Sequence, residues 1–257
     1  MTTTSTSATK AAPLRESRAK GWEIDSRGRV KAIEPIAGEP PDEYHLLFSD
    51  RSGVVQIKEV KKNPEAALVG QIEYDGSRRA VKSSWLDKKG KLVSTFVYTY
   101  DERGLMIRRE EKSKTGRTLA TTECTCDESG CLVQERFRRG DEYLGRHVYT
   151  YDQAGRLATE THYDAQEQTS GTYRFTFDGA GRLLRRAWHN TQGQLLTEFK
   201  YTLDAGGNRV RAELCRAGQV ETVQEFKYDS RGNLLEERWL DPAGKLMRTI
   251  NHQRQGG

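Results

Sequence analysis

The stretch TYDQAGRL, residues 150–157, decides how the chain is read, because its Asp152 and Gly155 recur in register along most of the 257 residues. Nine aspartates keep the spacing: Asp25, Asp50, Asp75, Asp101, Asp127, Asp152, Asp178, Asp204 and Asp229, at intervals of 25 or 26 residues. A glycine follows three places later in eight units: Gly28, Gly53, Gly104, Gly130, Gly155, Gly181, Gly207 and Gly232. The third unit carries Arg78 there, with Gly76 displaced. Aspartate opening a tight turn accepts a hydrogen bond from a backbone N–H two residues on, and glycine at the fourth position tolerates positive φ. Each D-x-x-G is therefore a chain reversal between two strands, of the type that ends in a G1 bulge.

The flanks read as strands. One residue before the aspartates stand Tyr74, Tyr100, Tyr151, Phe177 and Tyr228, and three residues before stand Tyr98, Tyr149, Phe175, Tyr201 and Phe226. Phe96, His147, Tyr173 and Phe199 form a third column two residues earlier. Residues two apart share a strand face, so the columns make one apolar stripe. Ten residues after the aspartates comes a further column of Val60, Trp85, Phe137, His162, Trp188, Leu214 and Trp239, which Pro35 and Glu111 break. Alternation along this returning strand is imperfect, and its faces stay unassigned. Gly90, Gly116, Gly193 and Gly244, about 15 residues after their aspartates, mark a second reversal.

The predicted fold class is all-β. Tandem β-hairpin repeats of 25–26 residues form an antiparallel meander strip of about 16–18 strands, solenoid-like and curled or partly closed into a shell. Residues 1–20 read as a disordered Ser/Thr-rich tail, 21–70 as degenerate N-terminal repeats or a cap, 71–250 as the repeat array, and 251–257 as a short C-terminal tail. Pro35, Pro40 and Pro41 argue against central strands over 33–47.

Composition narrows the function classes. Apolar residues make up 35% and charged residues 31%, which suits sheets with one apolar and one wet face. The net charge of +5 is interleaved in sign rather than blocked, so no specific nucleic-acid partner is expected. The N-terminus has no apolar leader and no apolar run nears roughly 18 residues, so a cytoplasmic protein without a membrane span is expected. Secretion by a signal-independent route is left open.

TYDQAGRL at 150–157, with TFDGAGRL at 176–183, KYDSRGNL at 227–234 and the looser TYDERGLM at 99–106, resembles the signature of YD repeats, also called Rhs repeats. The resemblance covers residues 71–247 well and 22–70 weakly. It implies a β-strip that coils into a hollow shell, as in bacterial polymorphic toxins and insecticidal toxin complexes, where shells enclose a toxic C-terminal segment; related repeats occur in animal teneurins. Nine units are fewer than a full shell uses. The last unit ends near Ile250, so a short stand-alone member without a toxin domain is expected. DPAGKL at 241–246 is similar to the motif that closes toxin cores, but it falls at the second reversal of its unit and reads as an ordinary turn.

No catalytic, cofactor-binding or metal-ligating residue is assigned, and neither an enzyme nor a cofactor is expected. Cys124 and Cys126 occupy the aromatic columns and read as small apolar fillers. A Cys126–Cys131 disulfide across the hairpin, and metal or redox use, are the alternatives; C-x-C-x4-C lacks the paired knuckles of common zinc sites. His147 and His162 each replace an aromatic ring in a column, while His45, His189 and His252 share no register. The turn role accounts for all nine aspartates together. Arg29, Arg156 and Arg182, just after turn glycines, read as solvated edge charge, with a basic stripe for phosphate or acidic glycans as the alternative.

Burying an aromatic side chain is worth roughly 1.5–3 kcal/mol, so the apolar face must be covered. The strip can curl on itself, pair with a second copy, or wrap another protein, and its edges invite strand addition. The expected function is a non-catalytic structural or interaction protein, a shell-like scaffold that binds or encloses a protein partner. A toxin or secretion component is the expected partner, in an immunity or accessory role, with self-association as a further option. The alternative is a glycan-binding surface module that uses the aromatic columns on carbohydrate.

Overall fold

The computed structural model describes residues 15–35, 44–49, 54–60, 67–87 and 89–251. Nineteen strands and no helix run through them. The first six are β1 (Arg15–Ile24), β2 (Val30–Pro35), β3 (Tyr44–Ser49), β4 (Val54–Val60), β5 (Ala67–Tyr74) and β6 (Ala80–Leu86). Next come β7 (Leu92–Tyr100), β8 (Met106–Ser113), β9 (Thr118–Cys126), β10 (Leu132–Arg139), β11 (Glu142–Tyr151) and β12 (Leu157–Tyr163). The remainder are β13 (Thr169–Phe177), β14 (Leu183–His189), β15 (Leu195–Leu203), β16 (Arg209–Arg216), β17 (Gln219–Tyr228), β18 (Leu234–Leu240) and β19 (Leu246–Asn251).

All ladders are antiparallel, and from β3 to β19 each strand pairs with its chain neighbours. At the start, β1 lies between β2 and β3, so the order is β2-β1-β3 and then sequential. Nineteen strands exceed the expected 16–18 because nine units supply two each and β19 follows the last reversal. Pro35 ends β2, which pairs with β1 alone among the described residues, but β3 lies between β1 and β4, so residues 44–47 form a central strand where the prolines argued against one. Pro40, Pro41 and residues 1–14 and 252–257 lie outside the described residues, whereas 15–20, expected as disordered tail, belong to β1, and Asn251 ends β19. No ladder among the described residues joins β2 to β19, so the strip is one open meander rather than a barrel.

The turns take the predicted form. At Asp152 the backbone N–H bonds Arg156 O at 2.9 Å, and Gly155 N–H bonds Asp152 O at 2.9 Å with Gly155 at φ +74°. Asp152 Oδ1 accepts from the backbone N–H groups of Ala154 and Arg156, each at 2.9 Å. Those bonds, the Arg156 N–H first among them, hold the Asp152 carboxyl below the ordinary carboxylate range, and Asp75, Asp101 and Asp178 are held low by the equivalent N–H. Arg78 takes the glycine position of its unit at φ +61°. The second reversals repeat the chemistry from Asp87, Ser113, Asp164, Asn190 and Asp241, so DPAGKL is a turn of the same kind.

Each of the aspartate turns from Asp75 onward is followed by a bulge, whereas the Asp25 turn is not. Tyr151 pairs with Leu157 but Thr150 pairs with Thr159, leaving Ala158 as the extra residue. One inserted residue inverts the face of everything after it. Residues five, eight and ten places after the aspartate therefore join the face of the aromatic columns. This is why alternation on the returning strand is imperfect.

Tyrosine before the aspartate links successive units. Tyr151 Oη donates to Leu132 O at 2.7 Å and Tyr228 Oη to Arg209 O at 2.9 Å; Tyr100 Oη donates likewise to Ala80 O. Each acceptor lies five residues after the preceding unit's aspartate. Arginine after the turn glycine folds back on its own aspartate, as Arg156 Nε does on Asp152 Oδ2 at 2.7 Å, and then reaches Asp178 O of the next turn at 3.1 Å. Arg29 and Arg182 pair with Asp25 and Asp178 in the same way. Each is held by the aspartate of its own turn, and Arg156 also ties two turns together.

Over β1–β8 the strip curls round its own first turn. Gly28 O accepts from Ala80 N at 2.8 Å and Ser26 O from Met106 N at 2.6 Å, joining the β1–β2 turn to the starts of β6 and β8. Gly28 is at φ +74°, and a Cβ there would lie 2.3 Å from Tyr100 Oη, so this docking requires glycine. The curl encloses Leu47, Ile57, Ile72, Ala80, Tyr98 and Met106, all buried, with Ile24, Val30, Phe96 and Cys124 packed against them. The buried Tyr98 hydroxyl is satisfied by Ser83 Oγ at 2.8 Å.

Two substitutions test this account. Tyr151→Phe strands the Leu132 carbonyl and should lower stability by about 1 kcal/mol, seen in urea as a lower midpoint with unchanged slope. Asp152→Ala should lower the thermal midpoint and Asp152→Asn should largely restore it, because Asn190 Oδ1 already accepts the same two N–H bonds at 3.0 and 2.9 Å in its own turn.

Candidate functional site

The same columns that close into a core over β1–β8 stay half-exposed from β9 to β18, where Tyr149, Tyr173, Phe175, Trp188, Tyr201, Phe226 and Trp239 are all of intermediate burial. Phe199 is 37% exposed, and on the edge strand β19 Leu246 and Met247 are 53% and 65% exposed.

Polar groups enter this face eight residues after the aspartates. The bulge places Glu135, Glu160, Arg186 and Glu237 there, opposite Cys124, Tyr149, Phe175 and Phe226. Tyr149 Oη donates to Glu135 at 2.5 Å, and the Arg186 guanidinium lies 4.1 Å from the Tyr173 ring centre. Burial first, and then the Glu135 carboxylate, push the Tyr149 hydroxyl well above its ordinary range.

One constellation stands out on β10–β13. Glu135, His147, His162 and Gly171 form a single cross-strand row. The two imidazoles stack at 3.7 Å between centres with planes 11° apart. Glu160, two residues from His162 on the same face, turns one carboxylate oxygen to both: 2.7 Å to His162 Nε2 and 3.6 Å to His147 Nδ1. Phe137 packs edge-on to His147 at 4.7 Å, and Trp188 to His162 at 5.1 Å. Gly171 leaves the space that Trp188 fills, since a Cβ there would lie 2.3 Å from Trp188 Cζ2. Among the described residues, His147, Glu160 and His162 are three potential metal ligands whose donor atoms all lie within 4.8 Å of one another.

The sequence places both histidines in aromatic columns, and the structure keeps them there. Their contact, and the part of Glu160, were missed. The column five before the aspartate pairs directly with the column ten after it, as His147 with His162 and Tyr173 with Trp188, and that pairing was the available signal. His189 is half-buried with Nδ1 unpartnered, while His252 and the His45 side chain lie outside the described residues.

All four cysteines are free thiols, including Cys126 and Cys131 across their turn. Cys215 is buried, and Cys124 packs on the apolar cluster, where burial pushes its thiol up to about 12. A thiol held protonated is a poor nucleophile.

Burial first, and then the neighbouring His162, lower the pKa of His147, with Glu160 and Glu135 opposing in part. A histidine depressed in the folded state stays neutral while the unfolded chain takes up its proton. Its stabilising share is therefore present above about 6.5 and is lost as pH falls through that value toward the folded pKa. Thermal melts from pH 7.5 to 5 should show a falling midpoint, and His147→Phe should flatten that slope.

No protein-family model matches the chain, and no curated protein sequence does either. Among solved structures, the chain is similar to TcdB2-TccC3-TEV at 13% identity and TM-score 0.40, over 85% of this chain and 16% of that one. The Photorhabdus luminescens Tc holotoxin pore gives 11% identity and TM-score 0.40, over 85% and 15%. A porin-like protein from Bacteroides uniformis gives 9% identity and TM-score 0.44, over 95% and 98%. The chain thus spans about one-sixth of the toxin-complex chains it resembles, and none of these scores reaches 0.5. No helix among the described residues is long and apolar enough to cross a membrane.

Proposed function

We propose that the chain is a non-catalytic scaffold that binds a protein partner along the half-exposed face of β9–β18. One observation carries this reading. Identical columns bury a core where the strip curls on itself and stay open where it does not, so a face built to be covered is left for something else to cover. Arg156 and Arg182 beside this face are engaged by turn aspartates, and Arg186 lies on the Tyr173 ring, so ring surface is its chief means of recognition. A toxin or secretion component, met in the cytoplasm in an immunity or accessory role, is the partner class this proposal names.

Carbohydrate is the second reading. Trp188 is already engaged, with ring centres 4.5 Å from Tyr173 and 5.1 Å from His162, which favours protein over sugar on that face.

Native capture from the source cells, followed by mass spectrometry, tests the proposal. Wild type should retain a specific protein, and the double variant Phe199→Ser, Phe226→Ser, folded by circular dichroism, should retain at least about tenfold less. Recovery of no protein by wild type sinks the reading. Saturable quenching of tryptophan fluorescence by a glycan would put carbohydrate in its place.

A further inference from the structure

We propose that His147, Glu160 and His162 form a binding site for one divalent transition cation of the zinc class on the ring-bearing face of β11 and β12. Two imidazoles and one carboxylate are the donor set that suits zinc, copper or nickel rather than calcium or magnesium. Bonds of about 2.0–2.2 Å to a tetrahedral ion set its ligand atoms about 3.3–3.5 Å apart. The distances from the shared Glu160 oxygen, 2.7 and 3.6 Å, bracket that separation.

Three features distinguish the site from a chance pairing of surface groups. All three side chains are half-buried in a wall of Phe137, Tyr149, Tyr173 and Trp188 rings, so a cation there would be shielded from bulk water on its flanks. The donors come from adjacent hydrogen-bonded strands, which hold their backbones rigidly in place. Histidine also replaces an aromatic ring in both columns within one unit, where either column alone could have kept a carbon ring.

Binding requires a local rearrangement. A ligated ion lies in the plane of each imidazole, and two rings stacked face to face cannot share one, so the rings must swing apart about Glu160. Three protein donors leave a fourth position for water.

The test uses the full chain, untagged and stripped with chelator. Titrated Co2+ should give visible d–d bands saturating at one equivalent, and Zn2+ should displace it. His147→Phe and His162→Phe put in ring types that neighbouring units carry at these positions, so the fold should persist. Each, and Glu160→Gln, should weaken Co2+ binding at least about tenfold. Wild type without saturable bands at millimolar Co2+ overturns the proposal, and so does a His147→Phe, His162→Phe double variant that binds as well as wild type. Should the phenylalanine variants fail to fold, Glu160→Gln, which preserves shape, decides alone. Loss of the site would leave the partner-capture result untouched, so the two proposals fail separately.

Discussion

A carboxylate oxygen accepting two backbone N–H groups is the interaction on which this molecule depends. It closes the turn and places glycine or its substitute in the left-handed region, and from Asp75 onward one extra residue follows in the returning strand. The bulge then decides which side chains share a face. Had the hairpins closed without it, the residues eight and ten places beyond each aspartate would point away from the rings, and His147 would not meet His162.

Units are tied to each other by a second set of bonds that the turn makes available. The tyrosine hydroxyl reaches the carbonyl beside the preceding bulge, and the arginine crosses from its own turn to the next. A carbonyl in the interior of a strip would otherwise depend on solvent. Both contacts act between neighbours, so the array behaves as a one-dimensional solid whose stability builds unit by unit. The pairing of tyrosine with aspartate is thus a connection between repeats as much as a turn.

Curvature divides the molecule. Around β1–β8 the first turn docks on strands far from it in the ladder, and the enclosed side chains become a core. Beyond β8 no described segment returns to cover the face, and polar groups appear among the rings. Glu135 and Glu160 are tolerable there because Tyr149 and the histidines satisfy them. The same column positions serve packing at one end of the strip and chemistry at the other.

Asp152, Gly155 and Tyr151 made the hairpins, their spacing and the all-β class legible in the sequence, because each acts on residues within five places of itself or in the adjacent unit. Arg78 shows the limit of that legibility: a non-glycine at φ +61° preserves the turn when the surrounding ladder demands it. His147 and His162 were legible as column members but not as a pair, since their contact depends on the register that the bulge imposes. The sequence by itself determined the turns and the ring-bearing stripe, which are local consequences of residue type and period. Only the tertiary structure decided the place of β1 between β2 and β3, the docking of Gly28, and the meeting of two histidines with Glu160. Those follow from inter-strand register and curvature, which no stretch of sequence specifies alone.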